Sequence, residues 1–247
     1  MLLLFIFVHI EWQIRFDVYN QNHNLLLLFY LSKWLTGLRP LKFKSALIMK
    51  RGLFVIALLC LISYISAQDI ELVPPTKTGG KPLMEALNDR QSHRGFEQKD
   101  LPAQTLSDLL WAAYGFNRED KRTVPSSQNK QEVDVYVMFS SGIYFYDAKA
   151  NKLVLKEKGD FRAALGQPNI SENASLSLIY VINLDKNSRD AGLMDAGFSI
   201  QNVYLYCASA GLGSVARGSF KRPDVHNALK LTDKQEVALV QAVGFIK

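Results

Sequence analysis

The chain has 247 residues, a formal net charge of +6 and 48% hydrophobic residues. The positive balance is uneven: from Gln68 to Lys247 there are 22 Lys and Arg against 21 Asp and Glu, a net charge of +1. The basicity therefore lies mostly in the first 67 residues, and nothing calls for nucleic acid as a partner.

The N-terminal region divides in two. Residues 1–48 lack helical or strand periodicity, and apolar runs there such as Leu25 to Leu31 are too short to span a bilayer. They read as an upstream extension, with Met49 as the native start. Met49-Lys50-Arg51 then opens a signal-peptide pattern: the uncharged run from Gly52 to Ser66 follows, and Ile65-Ser66-Ala67 offers a cleavage site before Gln68. That run is shorter than the roughly 20 residues of a spanning helix, so a cleaved signal is favoured over a retained anchor. A lipoprotein site is excluded because bulky Leu59 precedes Cys60. The expectation is an exported, periplasmic protein with no membrane segment in its mature form.

The remaining residues, 68–247, suffice for one domain with a full core. Cys207 alone survives cleavage, so no intramolecular disulfide forms. Its apolar helical surroundings mark it as a core thiol rather than a redox group. The mature chain holds two His and one Cys without paired spacing, so no metal site is expected.

Helix and strand signals then alternate. Leu83 to Asp89 reads as a short helix with Leu83, Met84 and Leu87 on one side. Thr105 to Tyr114 reads as a second, with apolar Leu106, Leu109, Leu110 and Ala113 at helical spacing and a T-x-x-D cap completed by Asp108. Strands are expected at Val133 to Phe139, Ile143 to Tyr146 (entered through Gly142) and Lys152 to Leu155. A short helix near Asp160 to Leu165 follows, then a strand at Leu176 to Asn183. A long helix from about Arg189 to Ala210, a short helix near Pro223 to Leu229 and a last strand from Val237 to Ile246 complete the order. This is an α+β pattern with antiparallel hairpin signals in its middle. No strand runs into G-x-G-x-x-G, so a dinucleotide-binding Rossmann domain is not indicated.

The long helix is the structural centre. Ala196 to Ala216 is 21 residues without a charge, yet Gln201-Asn202 and small residues such as Gly197, Ser199, Ala208 and Ser209 argue against a membrane span. Such a helix should be buried on nearly all sides and let other backbones approach. Gly211 ends it, and Gly213 is expected to allow a tight exit with positive φ.

Three weak motifs in order carry a resemblance. Arg90-Gln91-Ser92-His93-Arg94 follows the first helix, and its alternate residues Arg90, Ser92 and Arg94 can face one side of an extended segment as donors to an anion. Arg122-Thr123-Val124-Pro125-Ser126-Ser127 precedes the first long strand. Asp195 to Gly213, DAGFSIQNVYLYCASAGLG, leads into Ala216-Arg217-Gly218. Together these resemble the nitroreductase family of flavin enzymes over Leu83 to Lys247. Pro125-Ser126 and the later G-x-Y-x-Y-D at Gly142 to Asp147 are similar to the subgroup related to thiazoline and oxazoline dehydrogenases. Here Ser127-Gln128-Asn129 stands where that subgroup has small residues.

The resemblance implies a nitroreductase-like fold: a mainly antiparallel central sheet flanked by helices, with the long helix at a homodimer interface. It implies FMN as cofactor. Arg90, Ser92 and Arg94 would hold its phosphate and ribityl chain, with Gln91 at a ring-contacting position. Pro125, Ser126, Ser127 and Gln167 would line the pocket, and backbone amides at Arg217 and Gly218 would lie beside flavin N5. Lys247, at the chain's end, would close on the phosphate. The flavin carries the chemistry, so no catalytic acid or base is required. The implied function is an exported FMN-dependent oxidoreductase moving hydride or electrons between a small-molecule substrate and flavin N5. The alternative is a degenerate member that binds flavin or another ligand without turnover.

Overall fold

The computed structural model describes residues 68–247. The export signal assigned to residues 49–67 and the extension assigned to 1–48 lie outside the described residues. Seven strands, β1 (Ile70–Glu71), β2 (Val133–Phe139), β3 (Gly142–Asp147), β4 (Lys152–Lys158), β5 (Leu176–Asn183), β6 (Gly213–Arg217) and β7 (Gln235–Gly244), form one sheet. Its order is β1-β4-β3-β2-β5-β7-β6, with every pairing antiparallel. The helices are α1 (Leu83–Asp89), α2 (Ala103–Tyr114), α3 (Pro168–Ser171), α4 (Arg189–Ala210) and α5 (Arg222–Ala228), with short 3-10 turns at Ser127–Asn129 and Arg162–Leu165. This is the expected α+β architecture.

The sheet is apolar on both faces, as a central strand with helices above and below must be. On one face Leu178, Tyr180 and Ile182 of β5 pack with Val135 and Val137 of β2 under α2 and α4. On the other, Ile179 and Val181 of β5 pack with Met138 and Val240 beneath Leu165, Val225 and Leu229. The continuous apolar run of β5 follows from that double burial.

The helix α4 begins at Ser188, whose hydroxyl accepts from Ala191 N at 3.3 Å, and ends at Gly211 with φ 70°, a left-handed C-cap as expected. Small residues do bring it close to the sheet: a methyl on Gly192 would collide with Ile182. A buried polar chain pins its middle. Tyr180 OH donates to Gln241 Oε1 at 2.7 Å, and Gln241 Nε2 donates to Ser214 Oγ at 2.8 Å and to Ile200 O at 3.2 Å. Three strands and the helix thus share one satisfied network. Cys207 lies 1% exposed beside it, its thiol pushed up by burial, an inert core thiol as the sequence implies.

Several expectations need correction. The helix α4 is not buried on nearly all sides. It packs on the sheet by one face only, leaving Met194 61% and Phe198 46% exposed in a stripe with Gly197 and Gln201. Likewise Leu83, Met84 and Leu87 of α1 point outward and Ala86 is its buried residue. The helix α2 starts at Ala103 after Pro102, without a Thr105 cap, because Asp108 instead accepts from Thr76 N at 2.6 Å and from Gln104 Nε2 at 2.9 Å. Gly213 does not need positive φ. It is required because a Cβ there would press on His93 and Ile246 at 3.0 Å. The strand β1 and helix α3, too short to show periodicity, escaped the sequence reading. Among the described residues no helix is long and apolar enough to cross a membrane.

Candidate functional site

The segment after α1 runs along the outer edge of β6. His93 N donates to Ser214 O at 2.9 Å, Glu97 N to Phe245 O at 3.0 Å and Lys247 N to Gly95 O at 3.3 Å. Arg90, Arg94 and Lys247 are thereby gathered at one end of the sheet. Arg90 is half-buried with its guanidinium 5.4 Å from the centre of the Tyr204 ring. Ser92 Oγ lies 3.1 Å from Tyr204 OH, which in turn accepts from Ala216 N at 2.7 Å. Gln91 and Arg94 are exposed, and Arg94 makes no ion pair among the described residues.

Tyr204 was missed by sequence reading and is the hub of this cluster. The signal was a Tyr within the uncharged run after Asp195, since a phenol on a helix that packs on a sheet must find a partner for its hydroxyl. Beside it a cavity of about 450 Å³ is lined by Lys81, Asp89, Arg90, Gln91, His93 and Leu212. Lys81 and Asp89 pair across it at 2.7 Å.

The outer edge of β6 ends at the positions expected beside a flavin ring. Backbone groups alternate along an antiparallel strand. Ser214 O and Ala216 N point outward to His93 and Tyr204, so the next outward donor is Gly218 N. The Arg217 side chain turns the other way, to the far face of the sheet. It is 5% exposed, and Nη1 donates to Gly166 O at 3.1 Å and Leu165 O at 3.3 Å. Its Nε and Nη2 are buried without a partner, and burial lowers the guanidinium from its ordinary value. Arg217 thus clamps the turn in which Gly166 (φ 60°) and exposed Gln167 (φ 49°) both take positive φ. Contacts thus join Arg90 and Ser92 to Tyr204 and Ala216 on one face of the sheet, while on the far face the neighbouring Arg217 holds Leu165 and Gly166.

Pro125, Ser126 and Ser127 stand apart from these contacts. Ser127 N donates to Asp195 Oδ2 at 3.0 Å, nine residues before Tyr204 on α4, or about 13 Å along the helix at 1.5 Å per residue. Pro125 is exposed and Ser126 Oγ accepts from Gln131 N at 3.1 Å. The loop holds Gln128, Asn129 and Gln131 at φ near 50°, a strained state for Gln that Gly adopts freely. Arg122 closes its far end, donating from Nε to Gln131 Oε1 at 2.9 Å and from Nη1 to Tyr114 O at 2.8 Å. The G-x-Y-x-Y-D motif is structural: Tyr144 and Tyr146 enter the core, and Asp147 Oδ1 accepts from Lys149 N and Ala150 N at the β3–β4 turn.

Behind the Ser127 loop lies a pair the sequence did not reveal. Glu132 is fully buried and Asp195 is 3% exposed, with their carboxyls against one another. Burial first, and the Asp195 carboxyl second, push the Glu132 carboxyl up. The outward hint was Asp195 itself, the last charge before the uncharged run.

The donor set of the β6 edge fits a phosphorylated flavin: the cations Arg90, Arg94 and Lys247 for an anion, a hydroxyl, and a strand-edge amide. The nitroreductase family model matches residues 87–245. The chain belongs to the nitroreductase family. A nitroreductase of Methanocaldococcus jannaschii is 32% identical over 181 residues, covering 66% of this chain and 90% of that protein. The crystal structure of a Ralstonia eutropha nitroreductase is 37% identical with TM-score 0.69, covering 74% of this chain and 91% of its own. A chain of an Escherichia coli microcin synthetase complex shares the fold at TM-score 0.56 and 17% identity, covering 72% of this chain and 78% of its own. The nitroreductase fold expected from sequence is confirmed, and with it membership of a family of oxidoreductases that typically bind flavin.

Proposed function

We propose that this nitroreductase binds FMN along the outer edge of β6 and uses it to oxidise or reduce a small substrate. The observation that carries this reading is the set of contacts from Arg90 and Ser92 through Tyr204 to Ala216, two residues before Gly218. Arg90, Arg94 and Lys247 would hold the phosphate by charge-assisted hydrogen bonds, and Ser92 the ribityl hydroxyls. Gly218 N would donate to flavin N5, and Gln91 and Gln167 would border the ring. Bound FMN supplies hydride and electron transfer; the chain orients it and keeps a fixed donor at the reacting edge. The Ser126–Ser127 loop lies apart from these residues within one chain. A homodimer packed along the uncharged Met194–Phe198 stripe is the arrangement we propose to bring it to the same ligand.

Similarity of Pro125-Ser126 and Gly142 to Asp147 supports placement near the thiazoline and oxazoline dehydrogenase subgroup. The Met49 to Ala67 pattern supports export to the periplasm, where NAD(P)H is scarce and another electron donor or acceptor would be needed. The left-handed Gln128 and Asn129 in the loop favour a second reading, a family member that binds flavin without turnover. Purified protein with flavin bands near ~450 nm, releasing FMN on denaturation, supports the cofactor assignment. Protein that stays colourless with excess FMN overturns it. Mature protein from the native host should begin at or beside Gln68.

A further inference from the structure

A hydrogen bond from Ser127 N to Asp195 Oδ2 ties the Ser126–Gln131 loop to α4. Asp195 keeps that geometry while a second carboxyl, Glu132, lies against it with no exposure to water. Glu132 Oε1 accepts from Asn187 Nδ2 at 3.2 Å, whereas Oε2 has no donor. Two ionised carboxylates in contact without water repel strongly, and one proton between them turns repulsion into a hydrogen bond.

Among the described residues no cation pairs with either carboxyl. Lys186 Nζ, from the turn after β5, contacts Gln131 O at 3.2 Å and Asp134 of β2 at 3.8 Å. Arg122 is committed to Gln131 and Tyr114 O. Tyr114 of α2 faces the same region as a neutral phenol, which burial pushes up. From α4 the facing group is Asp195 itself, and from the turn before it the neutral Asn187.

We propose that Glu132, protonated against the Asp195 carboxyl, latches the Ser126–Gln131 loop to α4, closed while that proton is present and opened by its loss. Glu132 and Asp195 are positioning residues: they reach the pocket only through the loop backbone. The consequence for flavin rests on the function proposed above, but the latch itself does not.

Glu132→Gln provides the test, since its Oε1 can still accept from Asn187 while Nε2 donates permanently to Asp195. Amide exchange at Ser127, normalised for the intrinsic pH dependence of exchange, should lose protection by about ten-fold or more in the wild type as pH is raised stepwise above the ordinary carboxylate range near ~4. In Glu132→Gln it should stay level. FMN affinity measured in parallel should follow Ser127 protection in the wild type and be flat in the variant. Equal pH profiles for the two proteins, or wild-type protection that does not change, overturn the latch. If exchange behaves as expected and FMN never binds, the latch stands and the flavin assignment falls.

Discussion

The hydroxyl of Tyr204 stands 2.7 Å from the backbone nitrogen of Ala216, spanning from the long helix to the exposed edge of β6. The same oxygen is 3.1 Å from Ser92 Oγ. One phenol thus orders both the strand edge and the segment that carries the cations. Tyr204→Phe keeps the ring under Arg90 but leaves Ala216 N–H and Ser92 without it. At about 0.5–1.5 kcal/mol per net hydrogen bond, denaturant unfolding should show a loss of about 1 kcal/mol. Flavin affinity should fall several-fold. Unchanged affinity would place the ligand away from β6.

Arg94 is exposed and uncommitted, as a residue waiting for an anion should be. Arg94→Ala should therefore leave stability within about 0.5 kcal/mol. A charge-assisted bond to phosphate contributes about 1.5–3 kcal/mol, so FMN binding should weaken roughly ten-fold to a hundred-fold. Riboflavin, which lacks the phosphate, should be affected far less. Titration of both flavins against both proteins decides it: an equal loss for the two ligands removes Arg94 from the phosphate site.

Arg217 carries a charge into the core and uses only Nη1. Replacing a buried, partly unpaired cation by an apolar side chain of similar length is often neutral or stabilising. Arg217→Met is expected to unfold at a denaturant concentration no lower than the wild type, while the turn at Leu165–Gln167 loses its clamp. Amide exchange confined to residues 165–167 should rise. Global destabilisation of several kcal/mol would show that the guanidinium holds the core rather than the turn.

The pH dependence of stability has a definite sign at Glu132. Its carboxyl is raised in the folded state, by burial first and then by Asp195. The folded chain therefore binds that proton more tightly than the unfolded one. This contribution is complete below the ordinary carboxylate range near pH ~4 and is lost as pH rises through the raised folded value. Denaturant unfolding at successive pH values should show the wild type losing stability relative to Glu132→Gln on going upward. A constant difference between the two would mean that Glu132 does not titrate in this window.

Phe198 and Met194 lie one turn apart on the outer face of α4. Burying each at a homodimer interface would contribute about 1.5–3 kcal/mol. Phe198→Lys should convert a dimer at micromolar concentration into a monomer by sedimentation, and release flavin as it does so. A wild-type protein that already sediments as a monomer removes this interface.

Local physics made much of the fold legible in the amino-acid sequence. The strand limits at Val133–Phe139 and Leu176–Asn183, the helix Arg189–Ala210 and the left-handed cap at Gly211 follow from side-chain period, β-branched content and backbone freedom. Arg90 and Ser92 were also visible, as alternate polar residues after a helix. What the period of a segment cannot state is which neighbour it meets. Leu83, Met84 and Leu87 look like a core face but are turned outward, because only the assembled sheet determines which side of α1 is covered. Asp108 looks like part of a cap, yet a strand-proximal amide 32 residues earlier takes its carboxylate. The Tyr204–Ala216 bond and the Glu132–Asp195 contact join positions far apart in the chain, through distances that no local pattern encodes. Composition and periodicity determined an α+β order with antiparallel hairpins and a long helix whose residues after Asp195 carry no charge. Tertiary packing alone decided which polar groups that helix would bring together, since a hydrogen bond between distant segments exists only once the core has set their spacing.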